Sequence, residues 1–366
     1  MRLGDVCKVV SGATPKSKNP DYWGGNIKWV TPAELDDGSH YIADTAKHIT
    51  EAGFSSANLH MLPAGTVLLT TRAPIGKVAI TQAEMCCNQG FKNLICSDVI
   101  NNEFLYRVLR FHSSALQAMG HGATFKELSK KNIESFELQI PSLVAQKNVV
   151  AALEAVERLI LLVSKQLSLL DNLVKSRFVE MFGDLCEGET IYPPRSIEDL
   201  CSDFLGGGTP SMKHPEYFGG EIPFIKSGDV KNRIVCEGDL SITKEGLLNS
   251  SAKLIPTGAV IVVIRSGILK HTLPVALVGC EVAINQDIKA LIPASGVNSL
   301  YLQWALLVSE PLILSRVRAT TADNIETKQL RKYMIPLPPL ALQEEFADFV
   351  AAVDKSRFVA EYNRKV

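Results

Sequence analysis

The stretch from Ser11 to Ile27, Ser-Gly-Ala-Thr-Pro-Lys-Ser-Lys-Asn-Pro-Asp-Tyr-Trp-Gly-Gly-Asn-Ile, returns 195 positions later from Gly206 to Ile222 as Gly-Gly-Gly-Thr-Pro-Ser-Met-Lys-His-Pro-Glu-Tyr-Phe-Gly-Gly-Glu-Ile. Further matches follow downstream. Leu62-Pro63-Ala64-Gly65 answers to Ile255-Pro256-Thr257-Gly258, and Arg72 to Arg265. Asn88, Gln89 and Lys92 answer to Asn285, Gln286 and Lys289. The series closes on Ile140-Pro141-Ser142-Leu143 against Leu337-Pro338-Pro339-Leu340, with Gln146 and Gln343 just beyond. Solenoid repeats run to about 45 residues, so this unit is a whole domain followed by a helix, made twice. Matched polar positions outside any core argue that the two copies share a task.

The linking helix is equally plain. From Ser142 to Phe182 the chain has neither Gly nor Pro, and Gly183 follows as a stop. Val149, Leu153, Val156, Ile160, Val163, Leu167, Leu170 and Val174 alternate at spacings of four and three, the seam of a coiled coil. At 1.5 Å per residue such a helix is roughly 60 Å long and needs a partner. After the second copy, Leu342, Phe346, Val350 and Val353 begin a shorter seam, and Arg357 takes the next position. An antiparallel partner of that length leaves part of the long helix bare. The expected bare part is the Lys165 to Phe182 end, lined by Leu167, Leu170, Val174 and Phe178.

Within each copy, residues 67–70 and 260–264 read as strands after a Pro/Gly turn, with 78–80 and 275–278 as partner strands. Residues 104–119 and 300–317 read as amphipathic helices. The expected fold is α+β: two duplicated α/β-sheet domains separated by long helices that form an antiparallel coiled coil.

Charge is nearly balanced, 38 Lys and Arg against 39 Asp and Glu, so an anion-binding surface has to come from local patches. No apolar run is long enough for a membrane span and no signal peptide is evident, which points to the cytoplasm. Eight cysteines without a CxxC pair read as mostly buried thiols and not as zinc ligands. HExxH, GxxxxGK[ST], GxGxxG and GxSxG are all missing. Gly206-Gly207-Gly208-Thr209 lacks the Lys-Ser/Thr ending of a phosphate loop and reads as a turn. Glu326-Thr327-Lys328, close to Asp323, has the tail of some metal-dependent nuclease sites, but the first copy keeps no such spacing, and a capping role is expected. The chain reads as a recogniser, with no catalytic residue and no metal site.

What it offers for recognition is a set of cations, amides and aromatics on loops. Lys16, Lys18 and Lys28 flank Trp23, and Lys213 and Lys226 flank Phe218. Arg72 and Lys77 follow a strand, as do Arg265, Lys270 and His271. Cations suit phosphates, while the forks of Asn88, Gln89, Asn285 and Gln286 suit base edges. Lys92 and Lys289 complete the candidate DNA-binding set.

These motifs, Gly-x-Thr-Pro…Pro-x-Tyr-x-Gly-Gly-x-Ile at the head of each copy, Arg72 with Gly76-Lys77, the Asn-Gln pairs and the Ile/Leu-Pro-x-Leu…Gln helix starts, resemble the DNA-specificity subunit of type I restriction–modification systems. The resemblance covers essentially the whole chain. It implies target-recognition domains at 1–141 and 195–338, a spacer helix at 142–183, a linker at 184–194 and a short second helix at 339–366. Each domain would read one half of a split double-stranded DNA target, with the coiled coil setting the gap. Expected partners are two methylase subunits and the restriction/translocase subunits, with self-association through the bare end of the long helix as a further expectation. S-adenosylmethionine, ATP and Mg would sit on those partners, with no cofactor on this chain. A protein-binding bilobed scaffold, or the recognition part of a fused restriction–methylation enzyme, remains the alternative.

Overall fold

The structure, a computed structural model, describes residues 1–72, 74–120, 127–318 and 324–365, with backbone alone for 316–318 and 358–365. The chain divides into two compact units, 1–159 and 160–366, with the division inside the long helix.

In the first unit a five-stranded sheet runs in the order Cys7–Ser11, Phe91–Cys96, Val67–Thr70, Val78–Thr81, Tyr41–Ile42. A smaller sheet places Trp23–Val30 between His48–Ile49 and Cys86–Cys87. The second unit repeats this plan: Cys201–Gly206, Ile288–Pro293, Val260–Val263, Val275–Val278 and Ile234–Val235 form the larger sheet. Its smaller sheet centres on Phe218–Ile225. The central strands read as unbroken apolar runs because both of their faces are covered. Val260 and Val262 join the core beneath the helices, whereas Ile261 and Val263 face a second cluster with Ile225 and Ile284. Burying each such side chain contributes about 1.5–3 kcal/mol.

The repeated Tyr-x-Gly-Gly-x-Ile segment is a bulged strand. Trp23 and Ile27 both pair with Ile49, and Phe218 and Ile222 both pair with Ile242. Gly24 and Gly219 supply the left-handed backbone this bulge requires, at φ +79° and +76°. A Cβ on Gly25 would lie 2.4 Å from the Ile49 carbonyl oxygen, and one on Gly220 2.5 Å from that of Ile242.

Each expected amphipathic helix is broken in two. Asn102–Phe111 gives way at His112 to Ser113–Ala118, and Ser299–Val308 gives way at Ser309 to Glu310–Arg318. In the second unit the cause is Pro311, which has no N–H to donate to the Leu307 carbonyl. The cysteines are all free; Cys7, Cys86 and Cys87 are buried and the other five are only half-buried, fewer in the core than the expectation of mostly buried thiols. Burial pushes the Cys86, Cys87 and Cys201 thiols up to about 12.

A buried glutamine starts each helix that follows a sheet domain. Gln146 accepts the Asn101 N–H at 2.8 Å and donates to the Val99 and Pro141 carbonyls, both at 2.9 Å. Gln343 accepts the Asn298 N–H at 2.8 Å and donates to Gly296 and Pro338 at 3.1 and 2.8 Å. The long helix spans Leu143–Phe182 and the second Leu340–Lys365.

Within the second unit the two helices are antiparallel. Arg177 pairs with Glu345 at 2.9 Å, while further along the second helix Arg357 reaches back to Asp171. Phe178 and Phe182 meet Phe346 at ring distances of 5.4 and 5.6 Å, with Val174, Val350, Val353 and Trp304 in the same core. Arg357, the polar residue in the short seam, therefore has a carboxylate to face. This overturns the expectation about the bare end. Val174, Phe178 and Phe182 are buried, and Leu167 and Leu170 half-buried, whereas Val149, Leu153, Val156 and Ile160 are exposed. The reason is direction: an antiparallel helix that starts beside Phe182 covers that end first and runs out before the other.

Candidate nucleic-acid interface

In the first unit the repeated motif lines a cleft of about 780 Å³. Its walls include Thr14, Trp23, Gly24, Lys47, His48 and Gln89. Trp23 and Trp29 meet edge to face at 5.0 Å, and the Lys47 ammonium stands 6.0 Å above the Trp23 ring. The Trp29 indole N–H is held by the Ala13 carbonyl at 3.0 Å, which ties the Gly-x-Thr-Pro turn to the bulged strand.

Thr14 donates to Gln89 Oε1, and in the second unit Thr209 donates to Gln286 Oε1 at 2.7 Å. Gln89 and Gln286 are exposed, yet their carbonyl oxygens are already engaged within the unit. Asn88 uses Oδ1 to accept the Gly90 N–H at 2.8 Å. Asn285 is buried and bonds both the side chain and the N–H of Asp287. These four residues shape the loop, and the amide nitrogens of the two glutamines keep their donors.

The cations divide into two groups. Lys16, Lys18 and Lys213 are exposed on the motif loops, and Lys270 and His271 on the loop after Val260–Val263. The others have partners at home: Lys28 donates to the Ala43 carbonyl and Lys77 to that of Leu35, both at 2.6 Å. Lys226 lies 3.7 Å from Asp239. Arg72 pairs with Glu127 at 3.0 Å, and Lys92, buried beneath, lies 3.8 Å from the same carboxylate. Burial holds the Lys92 ammonium below the usual lysine range against the pull of Glu127. Arg265 is 3.7 Å from Asp287. Glu326 sits at the N-cap of the short helix Thr327–Arg331, with Lys328 inside it, while Asp323 lies outside the described residues. Among the described residues no group of His, Cys, Asp and Glu could hold a metal ion.

The family model for the type I restriction modification DNA specificity domain matches residues 1–171 and again 192–364. The chain belongs to that family. Among curated specificity subunits, the type I restriction enzyme MjaIX subunit of Methanocaldococcus jannaschii is 27% identical over 95% of this chain and 85% of its own length. The EcoR124I/EcoR124II subunit of Escherichia coli is 34% identical over 41% of this chain and 38% of its own. Among solved structures, a chain from work on complex assembly and conformational transition of the type I R-M system aligns with a TM-score of 0.60 at 20% identity, covering 100% of this chain and 91% of that one. The S subunit from M. genitalium aligns at 0.56 with 10% identity over the same shares, a likeness of fold.

In this specificity-family chain, Lys47, His48, Glu127 and Asn324 are site residues that the repeat did not bring forward. Lys47 and His48 have no motif of their own and gain their place through pairing beside Trp23–Val30. Glu127 differs from its counterpart Asn324, so a search for matched positions passes over both. Among the described residues, no helix is long and apolar enough to cross a membrane.

Proposed function

We propose that this chain is the sequence-specific DNA-recognition subunit of a type I restriction–modification complex, with each sheet domain reading one half of a bipartite target. The observation that carries the reading is the specificity-domain match in both halves. It is supported by the same bulged strand and the same Thr–Gln contact in both units. Specificity subunits of this family work with DNA and with other subunits, and they are not themselves catalysts. The exposed cations on the motif loops suit phosphates, and the glutamine amides suit base edges.

The long helix acts as the spacer. Half-sites read from one face of B-DNA lie about 34 Å apart or a multiple of it, a distance a stiff helix can hold and a flexible loop cannot. Methylase subunits dock on the seam left open by the second helix, at Val149, Leu153, Val156 and Ile160, which is also where a second copy would associate. S-adenosylmethionine, ATP and Mg belong to those partner subunits.

Mapping methylated adenines in cells that express the chain with its methylase tests this directly. A split motif is expected, and the absence of any motif would refute the reading. Deleting one heptad between Val149 and Val163 is expected to change the gap in that motif or abolish it. An unchanged gap rules out the spacer role. A protein-binding scaffold would lack the steep loss of DNA affinity with salt that phosphate contacts impose.

A further inference from the structure

Arg72 and Arg265 stand at the same place in their units. Each forms an isolated antiparallel bridge, with Glu127 in one case and Asn324 in the other. The next residue closes both bridges alike: the Leu128 N–H reaches the Thr71 carbonyl at 3.0 Å, and the Ile325 N–H reaches that of Ile264 at 2.7 Å. Lys92 and Lys289 match on the neighbouring strand, where they pair across from Ser11 and Gly206. The backbone repeats while the charges do not.

In the first unit one carboxylate, Glu127, serves both Arg72 and Lys92. Asn324 has no charge to offer. Arg265 is left with Asp287 at 3.7 Å and keeps most of its side chain in solvent. Lys289 is half-buried, and among the described residues no carboxylate lies within ion-pair distance of it. Its neighbourhood is cationic instead. Burial, then Arg265, Arg331 and Lys253, hold its ammonium below the usual lysine range. Arg331 is already paired with Glu198 at 2.7 Å and stacked on Phe204. The Lys289 ammonium also has a fixed seat, because its Nζ rests 2.6 Å from where a Cβ on Gly206 would be. A partly desolvated ammonium without an acceptor is costly, and an anion arriving from solvent would relieve it.

We propose that Lys289 and Arg265 form a DNA-phosphate contact in the second unit that the first unit lacks, because Glu127 there already occupies the corresponding cations. The inference rests on the DNA-recognition reading above. It makes the two readers unequal: the second carries a backbone anchor beside its loops, while the first depends on its cleft and motif-loop lysines.

The test is DNA affinity of the full chain assembled with its methylase, measured by fluorescence anisotropy on a random-sequence duplex across a salt series. Asn324→Glu and Lys289→Met are each expected to lower the slope of log affinity against log salt by about 0.9, the value for one phosphate, with roughly eightfold weaker binding at 0.1 M salt. Glu127→Asn is expected to raise the slope by a similar amount, by freeing Arg72 and Lys92. Unchanged slopes in both second-unit variants, with assembly and melting temperature intact, would overturn the proposal while leaving DNA recognition standing. A wild-type complex with no salt-dependent affinity takes down the recognition reading, and this proposal with it.

Discussion

The starts of the two long helices are the same construction in two conditions. Both begin at a buried glutamine with the same three partners, and both present a seam at the same offsets. Phe346, Val350 and Val353 are 0%, 0% and 7% exposed, whereas their counterparts Val149, Leu153 and Val156 are 44%, 42% and 52% exposed. The residues are equally apolar; what differs is the presence of Val174, Phe178 and Phe182 opposite. A seam states a need for a partner, and in this chain only the second unit meets the need internally. The exposed counterpart, extended by Leu159, Leu161 and Leu162, is larger than scattered surface leucines would explain.

The strongest challenge to that contrast is truncation on both sides. Phe346→Ala should cost about 3–5 kcal/mol in urea unfolding, since it empties a fully enclosed site. Leu153→Ala in the isolated chain should cost about 1 kcal/mol or less. Equal costs would mean that the first seam is covered after all. The glutamines come next: Gln146→Ala and Gln343→Ala should each cost about 2–3 kcal/mol, because an N–H and two carbonyls lose their partner. A large inequality would break the equivalence of the two starts.

A third measurement concerns what covers the open seam. Leu153→Glu with Ile160→Glu should weaken methylase docking, or association of copies, on the order of tenfold or more without lowering the melting temperature. Retained affinity would place the partner elsewhere.

The smallest expected effect is alkaline. Tyr41 donates to Glu103 at 2.6 Å, and this bond with the carboxylate pushes the phenol up to about 12. A group whose folded pKa is raised contributes fully below its unfolded value, near 10, and loses that contribution as pH rises through 12. Because Tyr41 is half exposed, about 1 kcal/mol or less is at stake, and Tyr41→Phe should remove this pH dependence. The corresponding corner of the second unit holds Arg233 over Trp304 at 5.0 Å, with no phenol to titrate. An alkaline loss that survives in Tyr41→Phe would have another source.

Much of the fold was legible because burial leaves a simple signature. A strand covered on both faces, such as Val260–Val263, has no polar alternation, and a bulge that needs positive φ shows as repeated Gly-Gly. The seam named the helix face correctly but not which end would be covered. A heptad encodes an azimuth, whereas coverage depends on where the partner begins and which way it runs. The Asn-Gln pairs were harder still. Their chemistry suits base edges, yet Thr14 and Thr209 engage the glutamine oxygens inside each unit, a contact across 75 and 77 residues that spacing does not announce. The candidate Lys28 and Lys77 likewise spend their ammonium groups on nearby carbonyls.

The glutamine clamp at Gln146 fixes not only where the long helix starts but how it is turned about its own axis. One residue added after the clamp would swing all that follows by about 100° and advance it 1.5 Å, whereas seven would return it to within about 20° and advance it about 10.5 Å. That advance is roughly three base-pair steps of DNA. Lengths of this helix are therefore quantised: single insertions are forbidden by phase, and a change of target gap becomes accessible only in jumps of about a heptad.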